Sequence, residues 1–308
     1  MSDSKKIRDL GASVRARLLN LAKQKGHAFD LLLTRYANER LLHRLSMSSH
    51  RDRFVLKGAM LMTTWFEDPH RPTRDVDFLG YGDPSPEPML ATFREICAIE
   101  TDDGIAFGIS TLCVELIREA LAYGGLRLRT TAQLAGARIT VFIDIGFGDA
   151  IEPGLEEVDL PVLLDMPKPR LRGYARETVI EEKFQAMVML GLANTRMKDF
   201  YDVWILSRNY TFDEERLSRA IAATFERRAT TIPTDPPDAL TQKFASDMAK
   251  QRQWTAFVRD LAGNVPKLEV IVADLSNFLM PYARHATKRI QTIHRVHPLP
   301  FQVLIRSS

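Results

Sequence analysis

The amino-acid sequence predicts an α+β fold in which a small mixed sheet is flanked by N-terminal helices and by a helical C-terminal domain. Three observations favour this class. Apolar residues recur at helical spacing over residues 4–47, strand-like alternation marks 75–79 and 110–145, and helical spacing returns from Arg176. Three parts are expected, with boundaries placed to within a few residues. They are residues 1–50, 51–170 and 171–308.

The first of these parts is predicted to hold two helices within residues 4–47, separated at Gly26. An apolar run at 54–56 then leads into a helix predicted over 59–66. Residues 75–79 alternate between polar and apolar side chains, as a strand with one buried face does. The sheet is therefore expected to begin close to this segment.

The middle of the chain is predicted to be rich in strands. A helix over 89–98 is followed by a strand over 110–117. The segments 126–130 and 138–145 both alternate and are joined through Gly136, so they are expected to form a hairpin.

A proline-spaced connector over 153–169 is predicted to join the sheet to a helical C-terminal half. The helices expected there are 176–192, 199–208, 213–226, 238–262 and 267–282.

Composition limits the class of protein. Hydrophobic residues make up 45% and charged residues 26% of the chain, which indicates a globular protein and not a disordered one. The net charge of +3 does not by itself imply a nucleic-acid partner. Cys97 and Cys113 form no CxxC or Cys/His cluster, so we expect two buried reduced thiols and neither a zinc site nor a disulfide framework. No apolar stretch of about 18 residues occurs and the first nine residues are polar, so a cytoplasmic protein without a membrane span is expected.

Asp75 and Asp77 form an acidic pair at the start of a predicted strand. Residues i and i+2 of a strand point to the same side, so both carboxylates are expected to converge on one point. Two adjacent carboxylates repel unless a cation binds, and Mg²⁺ prefers oxygen ligands of this kind together with substrate phosphates. A surface DxD pair is common without a metal, so the neighbouring motifs decide the interpretation.

Asp144 is the first of these neighbours. It lies in the otherwise apolar run Ile139 to Ile145, where a carboxylate is costly to bury without a partner. A metal shared with Asp75 and Asp77 would be such a partner. The alternative is an Asp at a strand end that is hydrogen-bonded to the following loop at 146–148.

The segment from Lys57 through Gly58 to Ala59 is the second neighbour. A glycine lets the backbone approach a phosphate closely, and the N-terminus of the helix that follows favours an anion. We therefore expect these three residues to contact a nucleotide. The alternative is a helix start that needs glycine only for its turn geometry.

A second constellation lies in the C-terminal half. Lys183 stands among apolar helix positions, where it is either a phosphate clamp or an ordinary surface lysine. Arg196, Lys198, Asp199 and Asp202 follow within one short segment, and the two aspartates share a helix face at i and i+3. We expect this segment to contact nucleotide. The alternative is helix capping combined with an ion-pair cluster.

A glycine, a helix, a DxD pair on a strand and a lone Asp on a later strand together resemble the layout of polymerase-β-like nucleotidyltransferases. In that arrangement two metals bridge the triphosphate and the attacking hydroxyl, and the third Asp can help to deprotonate that hydroxyl.

Most of the chain resembles the AbiEii/AbiGii family of nucleotidyltransferase toxins, which belong to type IV toxin–antitoxin and abortive-infection systems. Four motifs in the expected order carry the resemblance, together with flanking segments at 41–46 and 224–228. The motifs are residues 54–60, His70 to Asp77, residues 143–149, and Glu182-Lys183 with the segment 196–202.

The resemblance implies roles for individual residues. Asp75 and Asp77 would be metal ligands, Lys183 would contact the nucleotide, and an Asp of the 196–202 segment, Asp199 or Asp202 or both, would complete the fourth motif. One position departs from the pattern, because Ala59 stands where family members often carry Ser. A hydroxyl that could contact a phosphate is therefore missing.

The resemblance also implies Mg²⁺ as cofactor, an NTP as substrate, the tRNA 3′ end as acceptor and a cognate antitoxin as partner. Two alternatives remain at this point. One is a nucleotidyltransferase acting on a protein or small-molecule hydroxyl, and the other is a non-catalytic protein that binds NTP or RNA. The three carboxylates argue against the second alternative, because a binder has no need of them.

Residues 284–289 are the best single candidate for docking a polyanionic acceptor. Three basic residues and one His stand in this run, with no acid nearby in the sequence. A solvated surface of mixed charge is the alternative for this basic C-terminal region.

Overall fold

The computed structural model describes residues 2–66, 71–117, 124–259, 261 and 263–296. His70, the first residue of one predicted motif, lies outside these residues. The described residues fall into two compact units, the first within residues 1–149 and 154–175 and the second within 150–153 and 176–308. The expected division into three parts stays a prediction.

The first unit contains four helices and eight strands among its described residues. The helices are α1 (Ser2–Lys25), α2 (Phe29–Met47), α3 (Gly58–Met62) and α4 (Pro86–Ala98). The strands are β1 (Phe54–Lys57), β2 (Asp75–Gly80), β3 (Ala106–Phe107), β4 (Cys113–Ile117), β5 (Gly125–Leu134), β6 (Ala137–Phe147), β7 (Leu155–Asp159) and β8 (Arg170–Tyr174).

The eight strands form one mixed sheet in the order β3-β5-β6-β2-β1-β8-β7, with β4 paired to β5. Strand β2 is parallel to β6 and antiparallel to β1, and β5 and β6 form the expected antiparallel hairpin. A mixed sheet with helices before and after it in the chain confirms the predicted fold class.

The β5–β6 hairpin has one buried face and one face that reaches solvent. Along β5, Leu126, Leu128 and Leu134 are buried, whereas Arg127 and Arg129 between them are exposed. The same alternation continues along β6. An antiparallel pair with this pattern packs one side on a core and leaves the other side solvated. We call the solvated side the open face; it carries residues 127, 129, 131 and 133 of β5 and residues 138, 140, 142 and 144 of β6.

Most of helix α2 is buried, and two of its buried charged residues, Glu39 and Arg44, form ion pairs. Arg44 donates hydrogen bonds to both carboxylate oxygens of Asp103, at 2.7 and 3.2 Å, and to the carbonyls of Ile99 and Ile105. Both side chains of this ion pair are 3% exposed. Glu39 is fully buried, and burial raises the pKa of its carboxyl group even though Arg35 is bonded to it.

The second unit is helical. Its helices are α5 (Arg176–Leu190), α6 (Met197–Asn209), α7 (Glu214–Arg227), α8 (Gln242–Ala245), α9 (Met248–Val258) and α10 (Leu268–Val296). Aromatic pairs form part of its core, with ring centroids 5.4 Å apart for Phe184 and Phe225 and 5.2 Å apart for Phe200 and Phe244. No helix within the described ranges has the length and apolar character that a membrane span requires.

Several predicted boundaries are wrong. The single helix expected over 238–262 is broken, because the side chains of Thr241 and Asp247 each accept a backbone hydrogen bond and thereby start a new helix. The connector expected over 153–169 contains β7, which pairs with β8, a strand that the alternation pattern did not reveal. Helix α3 ends at Met62, four residues earlier than expected.

The expectation of two buried thiols holds for one cysteine. Cys97 is buried, and this burial raises the pKa of its thiol to about 12, which keeps it protonated and unreactive. Cys113 is only partly buried on β4, where it accepts a hydrogen bond from Arg129 at 3.6 Å.

The Arg44–Asp103 pair gives a stability prediction. Replacing Arg44 with Met leaves the buried carboxylate of Asp103 without its cation, and breaking a buried pair in this way costs about 3–5 kcal/mol. We expect the free energy of unfolding in urea to fall by that amount. Arg94→Ala is the matched control, since Arg94 lies exposed on α4. Equal unfolding midpoints for the two variants would contradict the prediction.

Candidate functional site

Four charged residues lie in one row across four neighbouring strands. Arg127 of β5 is paired with Asp144 of β6, Asp144 with Asp77 of β2, and Asp77 with Lys57 of β1. Residues that stand directly opposite each other in a sheet point to the same face. The row therefore reads positive, negative, negative, positive along one face, and both cations come from the outer strands.

The structure brings together the three aspartates expected to bind metal. Asp75 precedes Asp77 by two residues on β2 and so shares its face, as the spacing predicts. One carboxylate oxygen from each of Asp75, Asp77 and Asp144 can be chosen so that all three lie within 4.8 Å of one another. All three side chains are partly exposed. Three carboxylates this close are the hard oxygen donors that a divalent cation prefers, so the donor set fits such an ion.

Gly58 is required by the packing of Asp77. Its φ of +67° lies in the left-handed region, and a Cβ atom at this position would stand 1.9 Å from Oδ2 of Asp77. The backbone of Gly58 therefore lies close to the carboxylate of Asp77, a group of the protein itself. Helix α3 has only five residues, so the expected anion site at its N-terminus lacks a full-length helix behind it. The contact of Lys57, Gly58 and Ala59 with nucleotide stays a prediction.

Two side chains fix the orientation of the other carboxylates. Thr73 donates a hydrogen bond of 2.7 Å from Oγ1 to Oδ1 of Asp75. Arg127 grips Asp144 with two bonds, from Nε to Oδ1 at 2.7 Å and from Nη2 to Oδ2 at 2.5 Å. This pairing raises the pKa of Arg127, first through the hydrogen bond to Asp144 and further through the charges of Asp75 and Asp77.

Arg127 was missed by the sequence analysis, which offered Asp144 either a metal or the loop at 146–148 as a partner. The residue could have been found from the predicted hairpin, because a turn at Ala135 and Gly136 places Arg127 opposite Asp144. The register of the hairpin is thus the signal that identifies the partner.

Lys57, the cation at the other end of the row, also has a carboxylate partner. Its Nζ lies 2.9 Å from Oδ2 of Asp149 and 5.6 Å from the centroid of the Tyr174 ring. The Lys57 side chain is 18% exposed and that of Asp149 is 11% exposed. An ion pair this sheltered is screened little by salt. Any contact between Lys57 and a phosphate has to compete with Asp149.

The second constellation is a buried ion-pair cluster in the second unit. Nζ of Lys183 lies 2.6 Å from Asp199 and 3.0 Å from Asp202. The exposed fractions of these side chains are 14%, 7% and 1%, respectively. Lys183 is therefore not a solvated surface lysine, and the interpretation as an ion-pair cluster describes its contacts correctly.

Arg196 and Lys198 differ in their surroundings. Arg196 precedes α6, and its backbone N–H is held by the side-chain oxygen of Asn194 at 2.8 Å. Lys250 donates to the carbonyl of the same Asn194 at 2.8 Å, which fixes this turn from the other side. Lys198 is exposed. Their contact with nucleotide stays a prediction.

Two residues of the run 284–289, His285 and Arg289, lie against acidic side chains. Helices α7 and α10 pack together, and the acids of α7 face the run. His285 lies 3.3 Å from Glu214 and 3.4 Å from Glu215, and Arg289 forms an ion pair with Glu215. These glutamates are some 70 positions away in the sequence and meet the run in space, and the docking of an acceptor by residues 284–289 stays a prediction.

A mixed sheet that presents three convergent aspartates fits the class of nucleotidyltransferases. Residues 40–284 match the family described as "Nucleotidyl transferase AbiEii toxin, Type IV TA system". This match covers more than half of the chain, and the chain therefore belongs to the AbiEii family of nucleotidyltransferase toxins, as the resemblance implied. Membership of a type IV toxin–antitoxin family implies an NTP substrate and an antitoxin partner.

Two solved structures are similar to this chain. JHP933 from Helicobacter pylori has a TM-score of 0.49 and 14% identity, covering 87% of this chain and 98% of its own. A protein described as a candidate nucleotidyltransferase from H. pylori has a TM-score of 0.44 and 15% identity, covering 86% and 98%. The search of curated proteins gives no significant match. The family assignment rests on the sequence match over residues 40–284.

The Arg127–Asp144 pair predicts how the acidic triad responds to divalent cations. Arg127 supplies a positive charge to Asp144, so a divalent cation at this carboxylate has to displace it. We expect Arg127→Gln to bind Mg²⁺ or Mn²⁺ several-fold more tightly by calorimetric titration, because two bonds to a charged group are removed from the competing state. Arg129→Gln, two residues further along the same face, is the matched control. Weaker cation binding by Arg127→Gln than by the control would show that Arg127 assists the metal.

Proposed function

We propose that the protein transfers a nucleoside monophosphate from an NTP to the 3′ end of tRNA in a Mg²⁺-dependent reaction, and thereby inhibits translation and growth. The observation that carries the proposal is the convergence of Asp75, Asp77 and Asp144 on one face of the sheet. A cytoplasmic location belongs to the same proposal, because NTPs and tRNA are cytoplasmic molecules, and so does neutralisation by the cognate antitoxin, which the family implies.

Asp75, Asp77 and Asp144 would hold the metal. When bound, a divalent cation supplies positive charge to the phosphates as they are attacked and as pyrophosphate leaves. The protein's own task is to keep three carboxylates converged. Thr73 orients Asp75, Gly58 gives Asp77 its space, and Arg127 holds Asp144 until a substrate arrives.

The proposed chemistry requires a proton acceptor near the attacking hydroxyl. The hydroxyl oxygen of the acceptor forms a bond to the α-phosphorus of the NTP, and the bond from that phosphorus to pyrophosphate breaks. The hydroxyl proton passes to a carboxylate. We assign this role to Asp144, because it stands on β6 beside Asp77 and its present partner, Arg127, is a side chain that can swing away.

Lys183, Asp199 and Asp202 are proposed to serve the nucleotide as one unit. Asp202 is almost fully buried, so its role is to position Lys183. Asp199, at 7% exposed, is proposed to be the member of the pair that meets a ligand. This division assigns different roles to two aspartates that the sequence could not separate.

The first prediction from this proposal concerns Asp77. Asp77→Asn keeps the shape that fits against Gly58 but removes one negative charge from the triad. We expect transfer to drop by about 100-fold or more, because charge at the reacting phosphate loses a stabiliser. Asp165→Asn, on the surface of the same unit, is the control. Near-normal transfer by an Asp77→Asn protein with an unchanged melting temperature would refute the metal site.

The second prediction concerns Lys183. Lys183→Ala alone removes the cation that contacts two buried carboxylates and should lower stability by about 3–5 kcal/mol, which would obscure its effect on binding. The double variant Lys183→Met/Asp202→Asn removes one charge of each sign, so it should retain the fold better. We expect it to bind NTP at least tenfold more weakly than Asp202→Asn, with similar melting temperatures. Equal NTP affinities would show that Lys183 is purely structural.

The acceptor is tested directly. The purified protein is incubated with each of the four α-³²P-labelled NTPs and either total tRNA or a protein extract, and the products are separated on a denaturing gel. Label in the tRNA band, lost when the 3′ end is first oxidised with periodate, supports the proposal. Label only in protein would favour the protein-hydroxyl alternative, and absence of any transfer would favour a binding protein.

A further inference from the structure

The open face continues well past the acidic triad. From Asp144 back to Arg138, β6 runs for six residues, which corresponds to about 20 Å at ~3.3 Å per residue. β5 runs antiparallel beside it over the same distance. Binding the NTP phosphates at the triad needs only one end of this surface. The remainder is available to another ligand.

This extension of the open face is cationic and polar. It carries Arg129, Thr131 and Gln133 on β5 and Arg138, Thr140 and Phe142 on β6. Arg129, Gln133, Arg138 and Thr140 are exposed, and Thr131 and Phe142 are partly exposed. Within β5 and β6, Asp144 is the single carboxylate. The nearest described acid on the neighbouring strand β4 is Glu115, which is paired with Arg127 and not with the extension.

Phe142 lies where the extension meets the triad. It is paired with Asp75 on one side and with Arg129 on the other. The guanidinium of Arg127 stands 5.9 Å from the centroid of its ring. Phe142 is thus a partly exposed aromatic residue on a solvated face, with a carboxylate on one side and an arginine on the other. It offers a flat surface on which a base can stack.

The two arginines of the extension have no carboxylate partner among the described residues. Among the described residues, Arg129 is bonded only to the sulfur of Cys113, at 3.6 Å, and Arg138 is in no ion pair. A weak sulfur acceptor leaves the charge of Arg129 uncompensated. By contrast, Arg289 and His285 of the C-terminal run are paired with glutamates. Arg129 and Arg138 thus place positive charge without a described carboxylate partner on the open face, next to the triad.

We propose that the extension of the open face binds the single-stranded end of an RNA acceptor, with Arg129 and Arg138 at its phosphates and Phe142 beneath the base next to the triad. This inference rests on the proposed function and specifies where its acceptor lies. Proteins that bind single strands with little sequence preference combine cations that contact the phosphates with aromatic rings on which bases stack. The extension has both features, with hydroxyl and amide groups between its cations.

The charge is tested with the double variant Arg129→Gln/Arg138→Gln. Its binding to a 5′-fluorescein-labelled single-stranded RNA of twelve nucleotides is followed by anisotropy over a series of KCl concentrations. We expect weaker binding and a log–log salt slope shallower by about 1.4, since each phosphate contact with a single strand contributes about 0.7. Arg208→Gln/Arg252→Gln, two exposed arginines of the second unit, is the control with an equal change of charge. Slopes equal to that of the control would overturn the proposal.

The stacking contact is tested separately with Phe142→Leu, which keeps an apolar side chain but removes the aromatic ring. Binding of the same RNA should weaken about fivefold or more, with an unchanged salt slope. Affinity equal to that of the parent protein would remove Phe142 from the proposed surface. Melting curves of all variants verify that the fold is retained, which these exposed and partly exposed positions allow.

The transfer assay separates failure of this inference from failure of the proposed function. If the parent protein labels tRNA and the Arg129→Gln/Arg138→Gln variant does so with the same KM for tRNA, the inference is wrong and the proposed function stands. If the parent protein binds no RNA and labels only protein, both are wrong. A raised KM for tRNA with an unchanged KM for NTP supports the inference.

Discussion

The carboxylates of Asp75, Asp77 and Asp144 repel one another, because one oxygen from each lies within 4.8 Å of the other two. The arrangement of charges in the surrounding sheet depends on this repulsion. The carboxylates cannot separate, because Asp77 and Asp144 occupy paired positions on adjacent strands. Compensation must therefore come from neighbouring cations. Arg127 supplies it to Asp144 from β5, and Lys57 stands on β1 at the position paired with Asp77.

The two cations of the row, Lys57 and Arg127, have different carboxylate partners. Lys57 is shared with Asp149, another carboxylate that is largely sheltered from solvent, and this pair is a fixed part of the sheet. Arg127 is bound to Asp144 itself and is 43% exposed, so it can leave without creating a buried charge. The ion pair of Lys57 is thus a fixed part of the structure, whereas the ion pair of Arg127 can be exchanged for another partner of Asp144. A substrate or cation can enter from the side of Arg127, which is also the side where the open face begins.

The second unit also brings two carboxylates close together, but there the charged side chains are largely buried. Nζ of Lys183 lies within 3.0 Å of both Asp199 and Asp202, and all three side chains are largely buried. Breaking such a buried cluster is costly, whereas a partly exposed pair such as Arg127 and Asp144 exchanges at low cost. Residues of a predicted functional motif therefore also contribute to stability. A single substitution of Lys183 cannot separate its contribution to stability from its proposed contact with the nucleotide.

Local pattern accounts for much of the fold. Alternation identified β2, β5 and β6, and helical spacing identified α2 and α5–α7, because these elements have the burial periodicity that their own sequence encodes. β7 and β8 were missed because each has only five residues, and β8 joins the sheet through β1, a strand more than 100 residues away in the sequence. The long helix expected over 238–262 failed because capping by Thr241 and Asp247 outweighs helical spacing.

The sequence by itself determined which residue types are present at which spacing. The DxD pair, the lone Asp144, the glycine before a helix and the four motifs in order were sufficient to identify the family, and the i, i+2 rule placed Asp75 and Asp77 on one face. Only the tertiary structure decided what each charge meets. The register of β5 against β6 gave Asp144 its partner Arg127, and the packing of α7 on α10 placed glutamates against the C-terminal basic run. Electrostatic partners depend on distances in space, and a sequence specifies these distances only through the fold.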